Sequence, residues 1–216
     1  EKLGAGFDLQ KDEKIGFVFP IYSWAPPEIV LRFINRISLK EYQNQYLFFV
    51  CSCGDDTGLT QQVLVKALND KGWLCHAGFS VTMPNNYVLL PGFDVEELER
   101  IKLANAVPRL TEINALISRR EKIFSCHEGS LPFLKTRIIN PLFNRFQMSP
   151  KHFYATDSCI SCKRCEKVCP VDNVKLREGD LFGERIAPLA WRVITFALSK
   201  RCNMGKERET KGNILP

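Results

Sequence analysis

Over its first 118 residues the chain switches repeatedly between two periodicities, and this alternation narrows the possible folds more than any other feature. "KIGFVFPIY" (Lys14–Tyr22) is a short apolar run with a proline near its end, and it predicts a buried strand. "PPEIVLRFINRI" follows, with Ile29, Phe33, Ile34 and Ile37 at helical spacing and proline in the first turn, where its missing N–H costs nothing. "YLFFVCSC" (Tyr46–Cys53) predicts a second strand, and after "GDDTG" comes the helical "LTQQVLVKALNDKG", with Gly72 as its terminator. "WLCHAGFSVTMP" predicts a third strand, and a long helix is expected from about Asp94 to Arg120. Strands that alternate with helices form a parallel sheet covered on both faces. The expected fold class is α/β, doubly wound.

From Ser125 to Thr156 the pattern breaks. "SLPFLKTRIINPLFNRFQMSPKHF" is basic, aromatic and interrupted by Pro132, Pro141 and Pro150, which predicts a connector with one or two short helices packed across the sheet domain. Charge follows the same division: residues 1–118 carry 11 basic and 14 acidic groups, and residues 119–216 carry 19 and 10. The basic residues are dispersed and form no reader motif, so a solvated linker or a dock for an acidic redox partner is expected rather than a nucleic-acid surface. No run of about 18 apolar residues occurs, so no membrane span is expected.

Beyond the connector, "CISCKRCEKVCP" places Cys159, Cys162, Cys165 and Cys169 in the spacing C-x2-C-x2-C-x3-C-P, the run of bacterial ferredoxins. Three thiolates spaced three apart on a tight loop wrap one face of a cubane. Lys163, Arg164 and Lys167 favour the thiolate form and offset the negative charge of a ligated cluster. Structural zinc is the alternative, but zinc ligands come as two separated pairs, and an unbroken trio is an awkward tetrahedral chelate. In two-cluster ferredoxins the fourth cysteine of such a run ligates the other cluster. A second trio is then expected about twenty residues onward, where "FGERIAPLAWRVITFALSKRC" holds only Cys202. With nine cysteines and no secretory leader in the residues given, a reducing cytoplasm is expected, with Cys51, Cys53, Cys75 and Cys126 as free thiols. His76, His127 and His152 show no ligand spacing and are expected to be structural or exposed.

Taken in order, "IGFVFPIYSW", "CSCGDDTG", "VTMPNNYVLLPGFD", "LPFLKTRIINPLFNRF" and "CISCKRCEKVCPVDNV" resemble the blocks of flavodoxin–ferredoxin fusion proteins of anaerobic bacteria. The resemblance runs from Ile15 to about Gly183 and implies an FMN-binding flavodoxin-like domain followed by a ferredoxin-like α+β module with two 4Fe–4S clusters. The domains expected are a flavodoxin-like domain over residues 1–120, a basic connector over 121–153, the first half of the ferredoxin domain over 154–186 and a tail over 187–216. Two departures from the family stand out. The family opens with a strand and a phosphate-binding loop at a helix start, and this chain begins after that point; an N-terminal truncation is expected, leaving the strand Lys14–Tyr22 at an apolar edge. The second trio is absent. At Ala187, Ala190, Val193 and Ala197 a shift of one base allows cysteine codons in the same spacing, so the tail is expected to be a frameshifted reading, frayed or weakly helical.

By the same resemblance, Tyr22, Ser23 and Trp24 form the loop that covers the isoalloxazine ring, with an aromatic face to stack on it; packing at a strand end remains the other role open to Trp24. Ser52, Cys53, Gly54 and Gly58 follow the next strand, where glycine lets the backbone approach a planar ligand. Asp55 and Asp56 in that loop are expected to cap the following helix, and Cys51 and Cys53 to be packing residues rather than redox groups. Asn85, Asn86 and Tyr87 close the third strand and offer amide donors and acceptors, although paired asparagines commonly just make turns.

The function expected is electron transfer between 4Fe–4S clusters, of which this chain holds at most one, and FMN, with a redox partner protein at the other end. Two alternatives stay open: a flavin-dependent reductase fed by its own clusters, and an incomplete chain that binds neither cofactor. No acid–base or nucleophile constellation is visible, so no catalytic residue is assigned.

Overall fold

A computed structural model of the 216-residue chain describes residues 6–85, 94–146, 153–155, 160–168, 174–177, 180–183 and 202–204. The chain divides into two compact units, Glu1–Pro141 and Leu142–Pro216.

The first unit runs β1 (Gly6–Asp8), β2 (Ile15–Pro20), α1 (Glu28–Arg36), β3 (Ser38–Lys40), β4 (Leu47–Cys53), α2 (Thr60–Asn69), β5 (Cys75–Thr82), α3 (Glu96–Ser118) and β6 (Phe124–Ser125). β2, β4, β5 and β6 form one sheet in that order, with every pairing parallel. β4 alternates buried and half-buried residues along its length, because each face of a central strand meets a helical layer. On one face Phe17, Phe19, Leu47, Phe49 and Cys51 pack with Ile34 of α1 and with Leu64 and Leu68 of α2. On the other, Ala77, Phe79 and Val81 pack with Ala106 and Ile113 of α3. The alternation of strand and helix therefore yields a sheet covered on both sides. β2 lies at the edge of this sheet, with Phe17 and Phe19 buried and Val18 78% exposed.

Local chemistry sets the helix ends. α1 starts after the extended Pro27, with Glu28 in its first turn and Arg36 in its last, each complementing the helix dipole. After α2 the chain turns at Gly72 (φ 75°), and the Trp73 N–H closes on the Leu68 carbonyl. Between Leu47 and Phe48 the β4–β5 register shifts, where the Leu47 N–H donates to His76 Nδ1 at 3.1 Å. His76 is thus a core residue, its pKa lowered by burial and by Lys122. The short parallel pair β1–β3 leaves no mark in the sequence pattern, being three residues per strand and largely exposed.

The connector is helical: α4 (Pro132–Leu134), a π-helical turn (Lys135–Ile139) and α5 (Asn140–Phe146) follow one another. Pro141 has no N–H for the Arg137 carbonyl, and its ring would crowd that carbonyl in an α-helix. The wider turn relieves this, with the Asn140 N–H reaching the Lys135 carbonyl five residues back.

In the second unit β8 (Val174–Arg177) and β9 (Asp180–Gly183) form an antiparallel hairpin, and α6 (Arg164–Val168) precedes them. β7 (Phe153–Ala155) pairs antiparallel with β10 (Cys202–Met204). This corrects one expectation: Cys202 sits in a strand rather than in a frayed or helical segment, because three extended residues there find a partner edge. Asn86, Tyr87, Cys159, Cys169 and the frameshift positions Ala187, Ala190, Val193 and Ala197 lie outside the described residues.

Candidate functional sites

Two places gather the residues singled out in the sequence. The first is the cysteine loop of the second unit. Cys162 is exposed, and Cys165 is half-buried in the first turn of α6. Ser161 and Lys163, on either side of Cys162, have φ values of 52° and 56°. Residues that alternate between left-handed and ordinary backbone turn successive N–H groups toward one side, making concave anion-binding turns of the kind found at iron–sulfur sites. Lys163, Arg164 and Lys167 stand around the loop. The described part of the loop is basic and holds two left-handed residues, as such anion-binding turns do. Among the described residues no group of three or more His, Cys, Asp or Glu is close enough to hold a metal ion, two of the four cysteines of the run lying outside them.

The second place is the crevice at the carboxyl ends of β2, β4 and β5, where open α/β sheets take their ligands. After β2, Tyr22 and Ala25 exchange backbone hydrogen bonds of 3.1 and 3.4 Å, and the two residues between them, Ser23 (φ 48°) and Trp24 (φ 62°), are both left-handed. Positive φ at both central positions belongs to a type I′ turn, which favours Asn-Gly; Ser-Trp costs about 1–2 kcal/mol per residue there. The connector meets this turn. The Thr136 hydroxyl donates to the Trp24 carbonyl (2.7 Å) and accepts from the Leu59 N–H (2.8 Å). The Asn140 amide donates to the carbonyls of Tyr22 (3.1 Å) and Ser23 (2.8 Å). Lys135 lies over the Trp24 ring, 5.5 Å from its centroid, and bonds Asp56. Burial raises the pKa of the Tyr22 phenol.

The glycines of the next loop serve packing within the chain. A side chain at Gly58 would collide with Thr136 and Trp24, and one at Gly54 would collide with the Asn85 amide. Asn85 is itself anchored: its Nδ2 donates to Asp55 (3.1 Å) and to Asp94 (3.2 Å), and its N–H donates to Asp94 (2.9 Å). Lys102 of α3 completes the network, 3.0 Å from Asp55 and 2.7 Å from Asp94. Burial works against the Asp94 charge, but hydrogen bonds from Lys102 and Asn85 outweigh it and hold the carboxyl below its ordinary value. Burial likewise opposes the Lys102 charge, and its two carboxylates overcome that and raise its pKa.

One expectation changes here. Asp55 and Asp56 do not cap α2, whose N-cap Leu59 has no side-chain cap; both aspartates are drawn instead to lysines brought in by α3 and the connector. Thr136 and Trp24 pack against Gly58, and the Asn85 amide packs against Gly54. On the Trp24 side of the crevice, Ser23 Oγ and Asp56 Oδ1 are buried without a hydrogen-bond partner among the described residues. That side presents two polar atoms to any polar ligand, whereas the Gly54 side is filled by the Asn85 amide. Cys53 lines the buried end of β4, and burial pushes its thiol up to about 11; Cys75 is pushed up to about 12 in the same way. A hydrogen bond to Cys126, with burial, raises the Cys51 thiol. Such thiols stay protonated and act as packing groups.

Lys102, Lys135, Thr136 and Asn140 carry no signal in the sequence, since their partners are far away along the chain. A cavity of about 420 Å³ at the β5–β6 edge, lined by Ser80, Thr82, Arg109, Ser125, Cys126 and His127 among others, is equally silent. Its guanidinium is already committed to the Ser80 and Ser125 carbonyls.

Compared with known families, residues 153–175 are similar to the one described as Fer4, the 4Fe-4S binding domain. No curated protein and no solved structure matches the chain. The matched segment contains Cys159, Cys162, Cys165 and Cys169 and includes α6. Together with the loop geometry it supports a 4Fe–4S cluster as cofactor and, in general terms, an iron–sulfur electron-transfer role. No helix among the described residues is long and apolar enough to cross a membrane.

Proposed function

We propose that the protein is a cytoplasmic electron carrier in which a 4Fe–4S cluster, held by Cys159, Cys162 and Cys165 with Cys169 belonging to the same ligand run, exchanges single electrons with FMN bound in the crevice of a flavodoxin-like domain. The domain limits proposed are residues 1–120, 121–153, 154–186 and 187–216, and a redox partner protein stands at the other end of the transfer. One observation carries the iron–sulfur half: the four-cysteine run falls inside the segment similar to 4Fe-4S binding domains. The flavin half is supported by the all-parallel sheet, by the strained turn at Ser23 and Trp24, and by the unpartnered Ser23 hydroxyl beside it. A bound flavin supplies a centre that stores one or two electrons. The chain's own residues orient it and exclude water.

The test is anaerobic stopped-flow on chain reconstituted with iron, sulfide and FMN and then mixed with dithionite. The reading expects cluster bleaching to precede flavin reduction, and Cys162→Ser to slow flavin reduction by at least about tenfold, since a lost thiolate ligand releases or destabilises the cluster. Equal flavin reduction in the variant would show that the cluster does not feed the flavin.

A further inference from the structure

The turn Tyr22–Ala25 adopts a backbone that its own residues disfavour. A type I′ turn wants asparagine and glycine at its centre, and this one has serine and tryptophan. Strain of that kind persists only where surrounding structure over-determines it. Three successive carbonyls of the turn, those of Tyr22, Ser23 and Trp24, accept hydrogen bonds from two side chains of the connector, Asn140 and Thr136. Both donors are fully specified. The Thr136 hydroxyl has one hydrogen, and because the Leu59 N–H occupies the oxygen as donor, that hydrogen goes to Trp24. The Asn140 amide directs its nitrogen to both carbonyls, so the oxygen end of an aspartate could not replace it. Thr136 is 5% exposed, and a side chain at Gly58 would strike both it and Trp24, so the contact is packed as well as hydrogen-bonded.

We infer that Thr136 and Asn140 are positioning residues of the crevice: from the π-helical turn and the residue that ends it, they clamp the Tyr22–Trp24 turn in its left-handed form and so fix where the Ser23 hydroxyl and the Trp24 ring meet a bound flavin. The inference rests on the flavin reading of the crevice. The π-helical geometry belongs to the device. It offsets Pro141, and Thr136 and Asn140, four residues apart on one helical face, both reach the same turn. Ser23 Oγ is buried without a hydrogen-bond partner among the described residues, and the clamp on the neighbouring carbonyls fixes where it stands.

The experiment compares the full chain with Thr136→Val, Thr136→Ser and Asn140→Asp, measuring amide hydrogen exchange by residue and FMN affinity by fluorescence titration. Thr136→Val and Asn140→Asp are expected to speed exchange at residues 22–25 and to weaken FMN binding, each by about tenfold or more, as loss of a buried hydrogen bond implies. Exchange in β4 and β5 stays at the wild-type rate, which separates loosening of the turn from unfolding, and Thr136→Ser behaves as wild type in both readouts. Unchanged exchange at residues 22–25 in both variants overturns the clamp. Faster exchange with unchanged FMN affinity overturns the positioning role. If the wild-type chain takes up no FMN, the flavin reading fails by itself, and exchange alone still decides whether the clamp exists.

Discussion

At the scale of single residues the crevice is organised by charge. Lys102 and Asp94 have side chains only 8% and 5% exposed, 2.7 Å apart, and the exposed Asp55 lies 3.0 Å from Lys102. Removing one member of a buried pair leaves the other uncompensated, so Lys102→Met is expected to cost about 3 kcal/mol near neutral pH, read from chemical denaturation. The sign of its pH dependence follows from the directions of the two shifts. The Asp94 carboxyl lies below its ordinary 3.8 in the folded chain, so its contribution is present above that value and is lost as pH falls through the folded value. The Lys102 ammonium lies above its ordinary 10.5, so its contribution is present below that value and is lost as pH rises through the folded one. The stability gap between wild type and Lys102→Met is therefore flat between the two ordinary values, and it closes in strong acid and in strong base. A gap that stays the same into strong acid would show that the ion pair is not its source. None of this is legible in "GDDTG": a helix-capping role is the local reading of two aspartates before a helix, and it loses to lysines 47 and 79 positions away.

At the scale of elements, what the sequence declares is what depends on near neighbours. β2, β4 and β5 fall within the apolar runs, and after α2 ends at Asn69 the chain turns at the glycine that its pattern marks. Periodicity reports burial, and the burial of Phe49, Phe79 and Leu64 is complete. Leu64→Ala, on the helical layer over the Phe49 face of the sheet, is expected to lower stability by roughly 2–5 kcal/mol, whereas Val18→Ser on the exposed edge is expected to shift it by under about 0.5 kcal/mol. Thermal melts of the two variants side by side check this; similar losses would mean that β2 is covered by chain or partner. The π-helical turn, in contrast, is invisible in sequence, because "KTRII" has no composition of its own and only Pro141 downstream demands the wider turn. β1 and β3 escape for another reason: three residues per strand, most of them exposed, are too few to show a period.

At the scale of the whole molecule, two compact units carry two kinds of candidate site, and they differ in how far local sequence determines them. The cysteine loop is written in one contiguous run of residues, so spacing alone reveals its ligand chemistry, and the family match falls on it. The crevice is assembled from β2, β4, β5, α3 and the connector, so position along the strands points to its loop residues but not to its lysines, threonine and asparagine. Everything proposed about function depends on what the cysteine run holds. The most direct measurement is iron, acid-labile sulfide and zinc per chain after anaerobic purification, read beside the electron paramagnetic resonance spectrum of the dithionite-reduced protein. A 4Fe–4S centre predicts about four iron and four sulfide per chain, no zinc, and a spectrum that appears only on reduction. One zinc per chain with no labile sulfide would contradict it.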